Sequence, residues 1–172
     1  LKDSLMDLST TNAAGAVYDT YLNNFRNEDG SVNWLPVCAD AHGFVVNKDL
    51  FEEYDIPLPT DYESFVSACR AFDEVGIRGF TADYHYDYTC METLQGLSAT
   101  ELSSAAGRKW RTAYSDPDNT KKEGLDSTVW PEAFERMEQF IQDTGLSEDD
   151  LDLNYDDVTE MYKDGKLAMY FG

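Results

Sequence analysis

Short apolar runs alternate with longer amphipathic stretches along the chain. Residues 43–46 read G-F-V-V, which is too short for a helix and β-branched enough for a strand buried on both faces. The runs 77–82 and 166–171 are also predicted to be strands. Upstream, Leu35-Pro36 predicts the start of the first extended segment, because the residue before a proline avoids the helical conformation.

A helix is predicted over about residues 61–75. Thr60 and Glu63 are predicted to form a capping box at its start. Gly76 is predicted to end it, because glycine readily adopts the left-handed conformation in which many helices terminate. Its apolar residues recur every three or four positions and give one stripe: Tyr62, Phe65, Cys69 and Phe72. Cys69 is therefore expected in the core.

Further helices follow in the second half of the chain. A short one is predicted over about residues 91–97, and a longer one over 131–144 with Gly145 as its stop. Asn154 is the predicted cap of a last helix that ends near residue 163. Residues 98–126 are polar and give no clear pattern.

The order strand, helix, strand over residues 43–82 predicts a βαβ unit with a right-handed crossover. We expect residues 44–46 and 79–82 to lie in one parallel sheet and residues 167–171 to share it. The fold class is therefore α/β, with a doubly wound, mostly parallel sheet flanked by helices. Ligands bind such sheets beyond the carboxyl ends of the strands, where residues 83–88 lie.

The chain has 172 residues, a length that suits a single domain. Its composition argues against several classes of binding partner. Thirteen Lys and Arg against 34 Asp and Glu give a net charge of −21, which repels nucleic acids and anionic membranes. The three cysteines show no C-x-x-C pair or zinc spacing, so we predict no metal and no cofactor. The chain starts at Leu1, as expected of a processed or excised fragment, and has no apolar run that spans a membrane.

Residues 83–88 concentrate aromatic rings and carboxylates in the sequence D-Y-H-Y-D-Y. Sugars offer C–H faces that stack on aromatic side chains and hydroxyls that bind charged acceptors, so this composition suits carbohydrate. The alternative is a strand edge on which Tyr84, Tyr86 and Tyr88 share one face and simply pack.

Two segments carry a family resemblance. Residues 34–51 read W-L-P-V-C-A-D-A-H-G-F-V-V-N-K-D-L-F, residues 56–60 read I-P-L-P-T, and residues 162–172 read Y-K-D-G-K-L-A-M-Y-F-G. In this order and spacing they resemble the family 1 extracellular solute-binding proteins of sugar ABC transporters, the group that includes maltose-binding protein. The resemblance covers most of the chain but not residues 98–127.

The resemblance implies a periplasmic-binding-protein-like (type II) lobe, with residues 1–34 as the tail of lobe one and residues 35–172 as the hinge strand and lobe two. It also implies extracellular capture of a mono- or oligosaccharide in a two-lobe cleft and delivery to the permease subunits of an ABC importer, without chemistry. Such a protein is a cell-surface lipoprotein or periplasmic. We expect a monomer that meets the membrane only through an N-terminal lipid anchor absent from these residues.

By the same resemblance, Asp40 matches a position at which family members place Asp or Glu in the cleft beside the hinge. Asp87 or Tyr88 falls near a loop of lobe two that contributes an acid and an aromatic ring in maltose-binding protein. The predicted ligand-binding residues are Asp40, Tyr84, Tyr86, Asp87 and Tyr88. For Asp40 a structural alternative stays open, in which the carboxylate caps a strand end or pairs with a lysine.

An enzyme is the competing hypothesis, namely a carbohydrate hydrolase with Asp40 and Asp87 as paired carboxylates. The sequence contains no S-x-x-K, no G-x-S-x-G and no glycine-rich phosphate loop for other chemistry. A calcium loop from residue 150 is rejected, because Tyr155 stands where glycine is required and Met161 where the bidentate glutamate belongs. The sequence therefore favours a binding protein over an enzyme.

Overall fold

The chain divides into two units in a computed structural model that describes residues 4–39, 42–120, 124 and 128–172. The first unit is Leu1–His42 and the second is Gly43–Gly172. The predicted boundary after residue 34 lies earlier, so segment 35–42 goes with the first unit. The assignment of these units to two lobes of one receptor stays a prediction.

The first unit contains two short helices, α1 (Asn12–Gly15) and α2 (Asp19–Leu22), and a 3₁₀ turn, Asn23–Phe25. Ala14, Leu22 and Val32 form its small core. Arg26 and Val32 form an antiparallel bridge, and Gly30 in the turn between them adopts a φ of 83°. The extended segment that begins at Leu35 forms no regular strand in the described part, residues 35–39.

The second unit is built on a three-stranded sheet: β1 (Phe44–Val46), β2 (Arg78–Thr81) and β3 (Leu167–Phe171), in the order β1-β3-β2. β2 runs parallel to β3, with Phe80 opposite Met169. β1 runs antiparallel to β3, with Val45 opposite Tyr170. The prediction that all three segments share one sheet is confirmed, and the sheet is mixed.

The predicted parallel relation of β1 and β2 is wrong, and the reason is a missed helix. α3 (Lys48–Glu53), which Asn47 caps, and α4 (Tyr62–Glu74) both lie between the two strands. When a single helix connects two strands, the chain runs back along the sheet and the second strand is parallel to the first. With two helices in the connection the chain reverses once more, so the second strand is antiparallel to the first.

The other helices are α5 (Asp87–Leu97), α6 (Ala99–Ser103), α7 (Ala105–Ser115), α8 (Trp130–Thr144) and α9 (Tyr155–Lys163), with a 3₁₀ turn at Glu148–Asp152. The left-handed stops at Gly76 and Gly145 and the cap at Asn154 are confirmed. At the start of α4 the capping box uses Asp61 and Ser64, so the predicted pair Thr60 and Glu63 is wrong. α5 begins earlier than predicted, and α6 and α7 occupy the stretch that gave no pattern.

Aromatic rings pack the core between the sheet and the helices. Phe65 and Phe140 stack with ring centroids 6.1 Å apart, and Phe80 meets both edge-on. Cys69 is fully buried, as predicted, and burial raises the pKa of its thiol to about 12. The thiol therefore stays protonated and unreactive at neutral pH.

A glycine allows α4 to lie close against β2. A Cβ added at Gly79 would lie 2.5 Å from both Cα and the carbonyl oxygen of Cys69. Neither atom belongs to a flexible side chain, so the strand and the helix can approach this closely only where no side chain intervenes.

We expect Gly79→Ala to lower the free energy of unfolding by about 1–3 kcal/mol, because the added methyl group overpacks a backbone contact. Gly96→Ala in α5 is the matched control. A Cβ there meets nothing within 4 Å, so the helix should gain about 0.5–1 kcal/mol from the lost glycine flexibility. Urea denaturation of both variants measures the difference, and an unchanged Gly79→Ala protein would contradict the described packing.

Candidate functional site

The segment 83–88 connects β2 to the first turn of α5. Its backbone turns sharply, because the N–H of Tyr86 donates to the carbonyl oxygen of Asp83 at 3.1 Å. The Asp83 carboxylate is half-buried and accepts from the Thr89 hydroxyl at 2.9 Å and from the Tyr88 hydroxyl at 3.3 Å. The segment is thus fixed to the helix by a carboxylate at the helix N-terminus, where the helix dipole favours negative charge.

Two tyrosine rings of this segment form an exposed aromatic surface. Tyr86 and Tyr88 stack with ring centroids 5.3 Å apart and an angle of 15° between their planes. Tyr86 is 36% exposed and Tyr88 is 55% exposed. Burial and the Asp83 carboxylate raise the pKa of Tyr88, so its hydroxyl remains a donor.

Tyr84 has a different environment, although it belongs to the same segment. It is only 6% exposed, and its hydroxyl accepts from the Thr93 hydroxyl at 3.4 Å. Burial raises its pKa to about 12. The alternation that would have put three tyrosines on one face ends where the chain turns into α5.

A buried carboxylate holds the neighbouring segment 147–153 in place. Asp150 accepts two bonds from the Arg78 guanidinium, at 2.9 and 2.8 Å, and one from the Thr81 hydroxyl at 2.7 Å. Further along, the carbonyl oxygen of Leu153 accepts from the backbone N–H of His85 at 3.0 Å. The end of β2, the segment 147–153 and the tyrosine-bearing loop are therefore joined directly.

Sequence reasoning missed a third aromatic group that lies at the same edge of the sheet. A three-residue turn joins α9 to β3, so α9 packs antiparallel to this strand and begins near its carboxyl end. Tyr155, the first residue of α9, is 60% exposed. Tyr162 and Tyr170 pack edge-on 5.2 Å apart, and the pKa of Tyr170 is raised first by burial and then by Tyr155 and Tyr162.

This edge offers flat aromatic faces together with carboxylates that accept hydrogen bonds, which is the chemistry of a site for a polyhydroxylated ligand. Among the described residues, no three His, Cys, Asp or Glu side chains are grouped so that they could hold a metal ion. None of the described helices combines the length and apolar character needed to cross a bilayer.

Comparison with known protein families identifies the family of the chain. The family model described as bacterial extracellular solute-binding protein matches residues 1–172. The chain belongs to this family. Its extracellular or periplasmic localisation, as predicted, follows from that membership. No curated protein sequence matches the solute-binding protein described here.

Solved structures share the fold of this solute-binding protein at low sequence identity. A sugar transporter protein from Bacillus licheniformis in complex with stachyose is 13% identical, with a TM-score of 0.71 over 97% of this chain and 43% of that one. RafE in complex with raffinose is 21% identical, with a TM-score of 0.70 over 98% and 43%. A family 1 extracellular solute-binding protein from Bifidobacterium longum subsp. infantis is 17% identical, with a TM-score of 0.69 over 98% and 42%.

These similarities confirm the predicted periplasmic-binding-protein-like (type II) fold. The chain spans less than half of the length of the structures that it matches. The activity, ligand and partners of the whole protein are therefore proposed in the next subsection and are not taken from these structures.

The structure places the predicted site residues of the solute-binding protein in different environments. Tyr86, Asp87 and Tyr88 are exposed together at the start of α5, whereas Tyr84 is buried behind them. Asp40 lies outside the described residues. Tyr155 was missed because its position depends on how α9 returns to the sheet. The available signal was the Asn154 cap, which predicts a helix N-terminus there.

We expect the buried hydroxyl of Tyr84 to make the protein sensitive to alkali. A native pKa of about 12, above the ordinary value of about 10, adds stability that is present below about pH 10 and is lost as the pH rises towards 12. Tyr84→Phe cannot ionise, so the difference in unfolding free energy between the native protein and this variant should shrink by about 1 kcal/mol between about pH 9 and pH 11.

Urea denaturation at both pH values measures this difference. Other groups with raised pKa values, such as Cys69, occur in both proteins and cancel. An equal gap at the two pH values would mean that the Tyr84 hydroxyl is solvated in the native state.

Proposed function

We propose that this solute-binding protein binds a carbohydrate at the carboxyl edge of β2 and β3. The observation that carries the proposal is the exposed, stacked pair of Tyr86 and Tyr88 beside the carboxylates of Asp83 and Asp87. A stacked pair presents a rigid aromatic face, which suits the C–H face of a sugar ring, and the carboxylates suit its hydroxyls.

Tyr155 extends this surface from the neighbouring helix. It is exposed at the N-terminus of α9, and the bond between His85 and Leu153 brings the segment before α9 to the tyrosine-bearing loop. A ligand longer than one sugar unit is favoured, because the rings come from two separate elements of the same edge. The relatives solved with stachyose and raffinose support this class of ligand.

The proposal for the whole protein follows the family. In it, the units described here are the tail of lobe one, the hinge and lobe two of a receptor that closes on its ligand. The receptor acts as a monomer, delivers the sugar to the permease subunits of an ABC importer and is held at the membrane by an N-terminal lipid anchor. It performs no chemistry on the sugar, in contrast to the hydrolase alternative.

Tyr86→Ala and Tyr88→Ala in the full-length protein should each weaken saccharide binding about fivefold to thirtyfold, through a lost stacking contact of roughly 1–2 kcal/mol. Tyr86→Phe keeps the ring and should bind nearly as the native protein does. Calorimetry with raffinose, stachyose and laminaribiose first identifies the saccharide and then gives the dissociation constants.

Phe134→Ala is the matched control, because Phe134 is an equally exposed aromatic residue, 51% accessible, in the first half of α8. Unchanged affinity in the folded tyrosine variants would contradict the proposed surface. The saccharide should also be recovered intact after incubation, and hydrolysis products would instead support the enzyme hypothesis.

Asp40 is proposed as a ligand group on the strength of its position in the family pattern. Asp40→Ala in the full-length protein should cost roughly 1.5–3 kcal/mol of binding, a tenfold to hundredfold loss, because hydrogen bonds to a charged acceptor disappear. The melting temperature should barely move. A destabilised protein with unchanged affinity would instead assign Asp40 to a strand cap or a lysine pair.

A further inference from the structure

A cavity lies at the other end of α5, away from the tyrosine-bearing loop. It has a volume of about 570 Å³ and is formed by α6, α7 and the start of α8. α5 has 11 residues and separates the cavity from the loop at its N-terminus. At 1.5 Å per residue this is roughly 16 Å, so the cavity is not part of the surface described above.

Glu101 is the first indication that this cavity binds a ligand. Its side chain is 8% exposed and lines the cavity. One carboxylate oxygen, Oε1, accepts from the Arg136 guanidinium, but the buried Oε2 has no hydrogen-bond partner among the described residues. A buried carboxylate oxygen without a donor is costly, and native structures seldom contain one without a reason.

Trp110 is the second indication and supplies the complementary group. It lines the same cavity, and its buried indole N–H finds no acceptor within the described part of the chain. Its ring is held by Tyr114, which stacks at 5.0 Å, and by Trp130, which packs edge-on at 5.5 Å. The donor is thus on a ring that its neighbours fix in place.

The charges around the cavity balance. Glu101 is paired with Arg136, and the exposed Glu132 and Lys109 on the lining have opposite signs. A charged ligand would find no net attraction here. A neutral polyhydroxylated molecule suits both groups, because one of its hydroxyls can donate to the Glu101 carboxylate and a hydroxyl can accept from the Trp110 N–H, while adjoining C–H groups pack on the indole ring.

We propose that this cavity is a second binding site, for a neutral polyhydroxylated ligand such as a saccharide or a small polyol, with Glu101 and Trp110 as its hydrogen-bonding residues. Its volume lies within the range of about 300–1,000 Å³ that is usual for small-molecule sites. The site is independent of the surface formed by Tyr86 and Tyr88, so the two need not bind the same molecule.

The test uses the full-length protein labelled with 5-fluorotryptophan and followed by fluorine NMR. Glucose and glycerol are the probes, which separates a saccharide from a small polyol. The resonance of Trp110, assigned through Trp110→Phe, should shift saturably with at least one of them. Potassium sulfate and tetramethylammonium chloride, as charged comparators, should not produce a saturable shift.

Variants show whether the response comes from this cavity. Glu101→Gln should weaken the binding about tenfold, since a charged acceptor is lost, while Arg136 remains partly exposed to solvent. Glu135→Gln, an exposed carboxylate of α8 that does not line the cavity, is the matched control and should leave the affinity unchanged. If Glu101→Gln does not fold, Trp110→Phe, observed through the Trp130 resonance, removes the donor and should weaken binding similarly.

The double variant Tyr86→Ala, Tyr88→Ala separates the two proposals. The Trp110 shift should persist in it, even where calorimetry shows that saccharide binding at the tyrosine surface is lost. The second site is overturned if no saturable shift of Trp110 appears up to the solubility limit of the probes. It is also overturned if the charged comparators alone produce the shift, or if the double variant abolishes it in folded protein.

Discussion

The parallel pairing of β2 with β3 is the constraint on which the second unit depends. Phe80 lies opposite Met169, both fully buried, and the two strands end at the same edge of the sheet. Because the strands are parallel, the loop that leaves β2 and the helix that precedes β3 meet at that edge. The bonds from Arg78 and Thr81 to the buried Asp150 then fix the segment between them.

α5 carries an aromatic cluster at each end, and the two clusters differ in their chemistry. At its N-terminus, Tyr86 and Tyr88 are exposed beside two acidic side chains, Asp83 and Asp87, which have no basic partner in this loop. Beyond its C-terminus, Trp110 is half-buried beside an acid that is already paired with Arg136. The first arrangement is an exposed surface, whereas the second is a cavity formed within the second unit.

Periodicity and caps were sufficient to predict three of the helices and the strands. α4, α8 and α9 have clear apolar stripes or caps, and the three strands are short apolar runs. α3 was missed because it is six residues long, and its two buried residues, Leu50 and Phe51, are adjacent and show no helical period. That single omission reversed the predicted direction of β1 relative to β2.

The arrangement of the candidate site was predicted only in part, for a related reason. The composition of residues 83–88 identified the loop, but the exposure of each tyrosine depends on where α5 begins, which the sequence placed four residues too late. The positions of Tyr155 and Trp110 depend on tertiary contacts: the return of α9 to β3 and the packing of α7 against the start of α8. No local pattern reports such contacts.

A crystal structure of the full-length protein with its bound saccharide tests the central claim most directly. We predict a sugar ring within about 4.5 Å of the Tyr86 or Tyr88 ring, with Tyr155 on the same side of the ligand. A saccharide trapped in the protein with none of residues 83–88 or Tyr155 within that distance would contradict the assignment of this sheet edge as the binding surface.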